Sequence, residues 1–143
     1  LAYSIAFSQA TEIMIYVGIK AEEEEGYKYL TLQTISEKLN IPVPSVKRIV
    51  GLLKNDGLLI SKTGISGGIM LAKPLERITL LDIFRAIEGN KSMFKIHLDF
   101  DTSKMKHTKL AENVISRMEE STDNAEQAML KTLKKQTLSD LIR

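Results

Sequence analysis

The stretch Ile41-Pro42-Val43-Pro44-Ser45-Val46-Lys47-Arg48-Ile49-Val50-Gly51-Leu52-Leu53-Lys54-Asn55-Asp56-Gly57 decides the fold. Val46, Ile49, Val50 and Leu53 recur at the three- and four-residue spacing of a single helix face. Pro44 suits the first turn of such a helix, where its missing N–H is an orphan in any case. Gly57 supplies the stop. Just upstream, Thr31 can cap a shorter helix whose buried side is Leu32, Ile35 and Leu39, and Asn40-Ile41-Pro42 breaks it. Two short helices joined by a tight break make a helix-turn-helix candidate.

Downstream the period changes. Leu58-Leu59-Ile60-Ser61 and Ile69-Met70-Leu71-Ala72 are short strand-like runs. Lys62-Thr63-Gly64-Ile65-Ser66-Gly67-Gly68 between them reads as a hairpin loop. Pro74 ends the second strand, and Thr79 with Asp82 resembles the capped start of a helix through Ile87 closed by Gly89. Upstream, Ala6, Ala10, Ile13, Met14, Val17 and Ala21 mark a helix from Ser4 to about Ala21. The run Glu22 to Glu25 and then Gly26 are expected to end it as a solvated turn, since carboxylates oppose the dipole at a helix C-terminus.

From Asn90 to about Lys106 the pattern is poor, although Phe94, Ile96, Leu98 and Phe100 alternate as in a short extended segment. A long last helix is expected from about Thr108 to Gln136, with Leu110, Val114, Met118, Ala125, Met129 and Leu133 mostly four apart. That narrow stripe suits packing against one partner.

Composition narrows the chemistry. The chain has 143 residues, 20 Lys and Arg against 18 Asp and Glu, and neither cysteine nor tryptophan. This length supports one domain, or one with an appendage, and a core that needs no disulfide or metal staple. Zero cysteines exclude a disulfide scaffold, a Cys-ligated zinc, a thiolate-held cluster and a Cys nucleophile, and are compatible with a reducing cytosol. No apolar run approaches a membrane span, and the N-terminus has no signal-peptide pattern, so a cytoplasmic location is expected. Because the chain starts at Leu1, residues are expected to precede it.

Catalysis is a poor fit, and the chain is not expected to be an enzyme. His97 and His107, the two histidines, stand in the least regular segment with no metal or acid–base motif around them. The Gly64 to Gly68 loop lacks the Gly-Lys-Ser/Thr ending of a phosphate loop. Charge placement is more informative. Between Lys38 and Arg77 there are seven bases and only two acids, Asp56 and Glu76, so this stretch carries +5 where the whole chain carries +2. Ser45, Lys47, Arg48 and Lys54 lie off the apolar stripe, as neutralisation of a phosphate backbone requires. On spacing alone, a solvated amphipathic helix remains the alternative.

Further motifs carry a family resemblance. Phe7-Ser8-Gln9-Ala10, Ile41-Pro42 and Gly57-Leu58-Leu59-Ile60-Ser61 resemble the Rrf2 family of bacterial winged-helix transcriptional regulators. More specific are Gly64-Ile65-Ser66-Gly67-Gly68-Ile69-Met70-Leu71-Ala72, which is similar to the family's wing signature, and the segment from Ile78 through Ala86-Ile87-Glu88-Gly89. Thr137-Leu138-Ser139-Asp140-Leu141 resembles its C-terminal Thr-Leu-x-Asp-Leu.

The resemblance implies a mainly α fold with a small β-hairpin wing. The DNA-binding winged helix-turn-helix would occupy residues 1–89, a linker 90–107, and a dimerisation helix with a C-terminal tail 108–143. It implies a homodimeric regulator, expected to be a repressor, on a pseudo-palindromic operator in double-stranded DNA. Ser45 and Lys47 are then candidate base-edge contacts, and Arg48 a base or phosphate contact. Lys54, Lys62 and the Gly67 and Gly68 amides would position phosphates, with Thr63 and Ser66 completing the wing surface. Leu110, Val114, Met118, Ala125 and Met129 would form the dimer seam.

Two departures stand out. The family's wing usually carries an arginine where this chain has Thr63, with Lys62 keeping one charge. Many members hold an iron–sulfur cluster through three cysteines after the Glu-Gly, where residues 90–106 have none. The chain resembles a cluster-free member with no cofactor, comparable to those that work through a partner enzyme or have no known effector. His97, Asp99, Asp101 and His107 occupy that stretch, read as a solvated linker ahead of a replacement metal site. A winged-helix protein-interaction module that no longer binds DNA is the alternative function, motivated by Thr63 and the small net charge.

Overall fold

The structure is a computed structural model and describes residues 4–23, 29–99 and 101–143. Helices α1 (Ala6–Glu23), α2 (Leu32–Leu39) and α3 (Val43–Asn55) lead into a hairpin of β1 (Leu59–Lys62) and β2 (Gly68–Leu71). A 3-10 turn at Leu75–Arg77, helix α4 (Leu80–Glu88), the long α5 (Thr108–Lys134) and a short α6 (Leu138–Ile142) follow. The expected mainly helical chain with a two-stranded wing is therefore the fold. Helix α1 runs two residues past Ala21, and in its last turn Lys20 pairs with Glu23 at 3.0 Å. Glu24, Glu25, Gly26 and Phe100 lie outside the described residues.

The chain forms two compact units, residues 1–90 with 133–143, and residues 91–132. The last eleven residues, expected to belong with the long helix, thus pack within the first unit. Thr137 and Thr79 form an antiparallel bridge in which the Leu138 N–H donates to Ile78 (2.8 Å) and the Leu80 N–H to Gln136 (2.9 Å). Both threonines head capping boxes, Thr79 with Asp82 and Thr137 with Asp140, which satisfy N-terminal donors reciprocally. Leu138 is fully buried.

The core of the first unit joins Ala10, Ile13, Met14 and Val17 of α1 to Ile35 of α2 and Val46, Ile49, Val50 and Leu53 of α3. Leu30, Ile41, Leu58, Leu59, Ile69, Leu75, Ile78, Ile83, Ala86 and Leu138 complete it. Ile35 of α2 is fully buried, and Leu32 and Leu39, half-buried, pack against the same core as expected. The segment with Phe94, Ile96 and Leu98 forms no strand, and Phe94 and Leu98 are exposed. In the second unit the buried Glu126 carboxylate of α5 accepts from the Ser92 hydroxyl (3.1 Å) and the Met93 N–H (3.0 Å). It fastens the start of the irregular segment to α5 and leaves neither of its oxygens unpaired.

Candidate nucleic-acid interface

The turn between α2 and α3 is held from both sides. The Thr31 hydroxyl accepts from the Thr34 N–H (3.1 Å) at the start of α2. Asn40 closes that helix with a left-handed backbone, φ 53° and ψ 50°, its N–H donating to the Ser36 carbonyl. The Ser36 hydroxyl donates to the Ile41 carbonyl (2.6 Å), fixing where the chain re-enters at Pro42. Helix α3 ends in a Schellman arrangement: Leu58 N–H donates to the Leu53 carbonyl (3.0 Å) and Gly57 N–H to the Lys54 carbonyl (2.9 Å). Gly57 sits at φ +74°, the left-handed region such a stop requires.

With Val46, Ile49, Val50 and Leu53 inward, α3 turns Pro44, Lys47, Arg48 and Lys54 outward, all exposed. Ser45 is half-buried near the helix start. Gly51 belongs to the same outer side, and a Cβ there would meet nothing within 4 Å. Between the Lys47–Arg48 pair and Lys54 the outer face therefore has a bare backbone. In the sequence, Gly51 is marked only as a glycine inside a helical pattern without a capping role.

The hairpin is in register, with Leu59 opposite Leu71 and Lys62 opposite Gly68. Leu30 pairs with Ile69 on the other side of β2 (Leu30 N–H to the Ile69 carbonyl 2.9 Å, Ile69 N–H to the Leu30 carbonyl 2.7 Å). This approach demands glycine at 68, where φ is +144° and a Cβ would run into the Leu30 carbonyl. Lys62, Thr63 and Ser66 are exposed, the Lys62 ammonium lying 5.7 Å from the centre of the Tyr29 ring, within cation–π range. One expectation is corrected here. The buried Gly67 donates its N–H to the Gly64 carbonyl (3.1 Å), closing the turn, so that amide is not presented to a phosphate.

In the second unit, Leu110, Val114 and Met118 are 60%, 55% and 41% exposed. With Met105, Ala111 and Ile115 they line an open groove of about 800 Å³ bordered by His97, Lys104, Lys106 and His107. Ala125 is exposed and Met129 half-buried. Among the described residues, no three of His, Asp and Glu stand where they could hold a metal ion, so His97, Asp99, Asp101 and His107 do not converge. Asp101 instead accepts from the backbone N–H (3.0 Å) and hydroxyl of Ser103, and the hydroxyl bond and then the backbone bond hold its pKa below the ordinary aspartate value. With no cysteine in the chain, this donor set does not fit a thiolate-held cluster.

A capped helix-turn-helix with a basic outer face, followed at once by a two-stranded wing, is a winged helix-turn-helix. The chain belongs to the Rrf2 family: the model for "Iron-dependent Transcriptional regulator" matches residues 3–143. YwgB of Bacillus subtilis (strain 168) is 39% identical over 66 residues, 46% of this chain and 42% of YwgB, so that match spans less than half of the relative. YwnA of the same strain is 23% identical over 110 residues, 77% of this chain and 79% of YwnA. Both names place these relatives among HTH-type regulators. The solved structure of CymR, the global cysteine regulator of B. subtilis, is 26% identical, covers 99% of this chain and 95% of its own, and superposes with a TM-score of 0.64. Among the described residues no helix is long and apolar enough to cross a membrane.

Proposed function

We propose that this regulator is a repressor that binds a pseudo-palindromic operator in double-stranded DNA as a homodimer. Helix α3 enters the major groove and the wing lies along the adjacent minor groove. The observation that carries this reading is the outer face of α3, where Lys47, Arg48 and Lys54 are exposed around Gly51. A major groove ~12 Å wide admits one helix, and a position without a side chain lets that helix sit deep. Ser45, Lys47 and Arg48 are the candidate base-edge residues. Lys54 and Lys62 are the phosphate contacts, with Thr63, Ser66 and the Gly68 backbone on the wing.

The second copy docks through Leu110, Val114, Met118, Ala125 and Met129, which span about 100° of α5 at 100° per residue. The exposure of Leu110, Val114, Met118 and Ala125 supports the reading, because apolar residues gathered on one side of a helix mark an interaction surface. The regulator acts without an iron–sulfur cluster, since the chain has no thiolate to hold one. Its location is the cytoplasm.

Selection of bound DNA in vitro, followed by titration of the selected operator, tests the reading. Arg48→Ala and Lys47→Ala each weaken operator binding by ~1–3 kcal/mol where the contact is to a base, and affinity falls steeply with salt. Wild-type isotherms for both variants would remove α3 from the readout. Visible iron–sulfur absorption in the purified protein would overturn the cluster-free reading.

A further inference from the structure

Ile65 is the most exposed large apolar side chain among the described residues, at 109%. It occupies the second position of the Gly64–Gly67 turn, between Gly64 and the exposed Ser66. Neither local folding nor packing accounts for it. Turn tips favour Gly, Asn, Asp and Ser, whose backbones or side chains suit the bend, and a β-branched residue brings no such advantage. The turn is closed by the Gly67 N–H on the Gly64 carbonyl (3.1 Å), and its base is pinned by the β1–β2 ladder and the Leu30–Ile69 bridge. Ile65 is thus held outward on a braced hairpin.

Charge at the tip points the same way. Between Lys62 and Lys73 the chain has no ionisable side chain, so the tip has no cation with which to grip phosphate. Its surface is one isoleucine flanked by hydroxyls. An apolar side chain on a wing suits the sugar walls and floor of the minor groove, where proteins place Ile, Leu or Phe as wedges. That floor distinguishes A·T from G·C chiefly by the guanine N2 amino group, a donor that an isoleucine cannot satisfy and would leave desolvated.

We propose that Ile65 is a specificity-determining residue through which the wing reads the minor groove at the operator flanks, favouring A·T pairs. The proposal rests on the DNA-binding reading above, and the experiment separates the two. The full chain, Ile65→Ala and Lys62→Ala are titrated against the selected operator over a range of salt. The flanks are made as A·T, as G·C and as inosine·C, which removes the minor-groove amino group and keeps the major-groove edge of G·C.

Ile65→Ala lowers affinity for A·T flanks by about 10-fold or more, the scale expected for losing the burial of an isoleucine's outer carbons. It leaves the salt slope unchanged because no counterion is involved, whereas Lys62→Ala reduces that slope by about 1. The wild type prefers A·T and inosine·C over G·C flanks, and Ile65→Ala loses that preference. The thermal midpoint of Ile65→Ala matches the wild type, since the side chain packs against nothing. Wild-type affinity for Ile65→Ala, or a wild type indifferent to the three flanks, overturns the proposal and leaves the DNA-binding reading standing. A wild type that binds no selected DNA sinks both.

Discussion

Gly51 shows how a single position separates stability from function. A glycine in a helix interior costs ~0.5–1 kcal/mol relative to alanine. At Gly51 no neighbour within 4 Å would obstruct a Cβ, so packing within the protein does not call for glycine there. Gly51→Ala is expected to raise stability by ~0.5–1 kcal/mol in denaturant titration. Gly51→Leu stays folded and loses at least about tenfold in operator affinity, because the new side chain holds α3 away from the groove floor. Operator binding by Gly51→Leu at wild-type strength would show that this face does not meet DNA. Asn40, three residues ahead of α3, carries the opposite kind of constraint. Among the described residues it alone is a non-glycine with positive φ. Asn40→Val is expected to destabilise by ~1–2 kcal/mol, since a β-branched side chain disfavours the left-handed turn.

At the scale of elements, α6 shows how a five-residue helix persists. Alone it is far below the length at which helices form in water. It is held by its capping box, by the Thr79–Thr137 bridge and by Leu138 in the core. The Asp140 carboxyl has its pKa lowered, first by the backbone N–H of Thr137, then by the Thr137 hydroxyl. A depressed folded-state pKa places the stabilisation above the ordinary aspartate value of about 3.9, to be lost as pH falls through the folded-state value. Amide exchange at Thr137 and in α6 is therefore expected to speed up below about pH 4. Asp140→Asn should make that exchange independent of pH over this interval, after correction for intrinsic rates. An unchanged acid dependence in the variant would assign the effect to another carboxylate.

For the whole molecule, the proposed homodimer would couple dimerisation to DNA affinity. A dimer presents two recognition helices one turn of DNA apart, ~34–36 Å. Linking two half-site contacts multiplies affinity by ~10²–10⁴ without any new contact. Val114→Glu places a carboxylate on the exposed apolar side of α5. It is expected to yield monomers in sedimentation, with helical content unchanged and operator affinity down by at least about 100-fold. A wild-type protein that sediments as a monomer at micromolar concentration would remove the dimer from the mechanism.

Most of the first unit was legible from short-range signals. Thr31 and Thr79 as caps, the Asn40-Ile41-Pro42 break, the Gly57 stop and the glycine-flanked hairpin all act within about four residues, the range over which capping and turn hydrogen bonds close. The inward set Val46, Ile49, Val50 and Leu53 followed from helical period alone. The empty thiol set was likewise a matter of sequence. Tertiary structure decided the rest. Leu138 and the Thr137 box return to Thr79, far upstream, a pairing no local pattern encodes. Glu126 is buried because Ser92 and Met93 arrive to donate to it. The Gly67 amide is used up inside its turn, and Ile65 is left with no neighbour to cover it. Local chemistry sets where helices start and stop. Burial, and with it the surface left free to bind, depends on which distant residues reach each side chain.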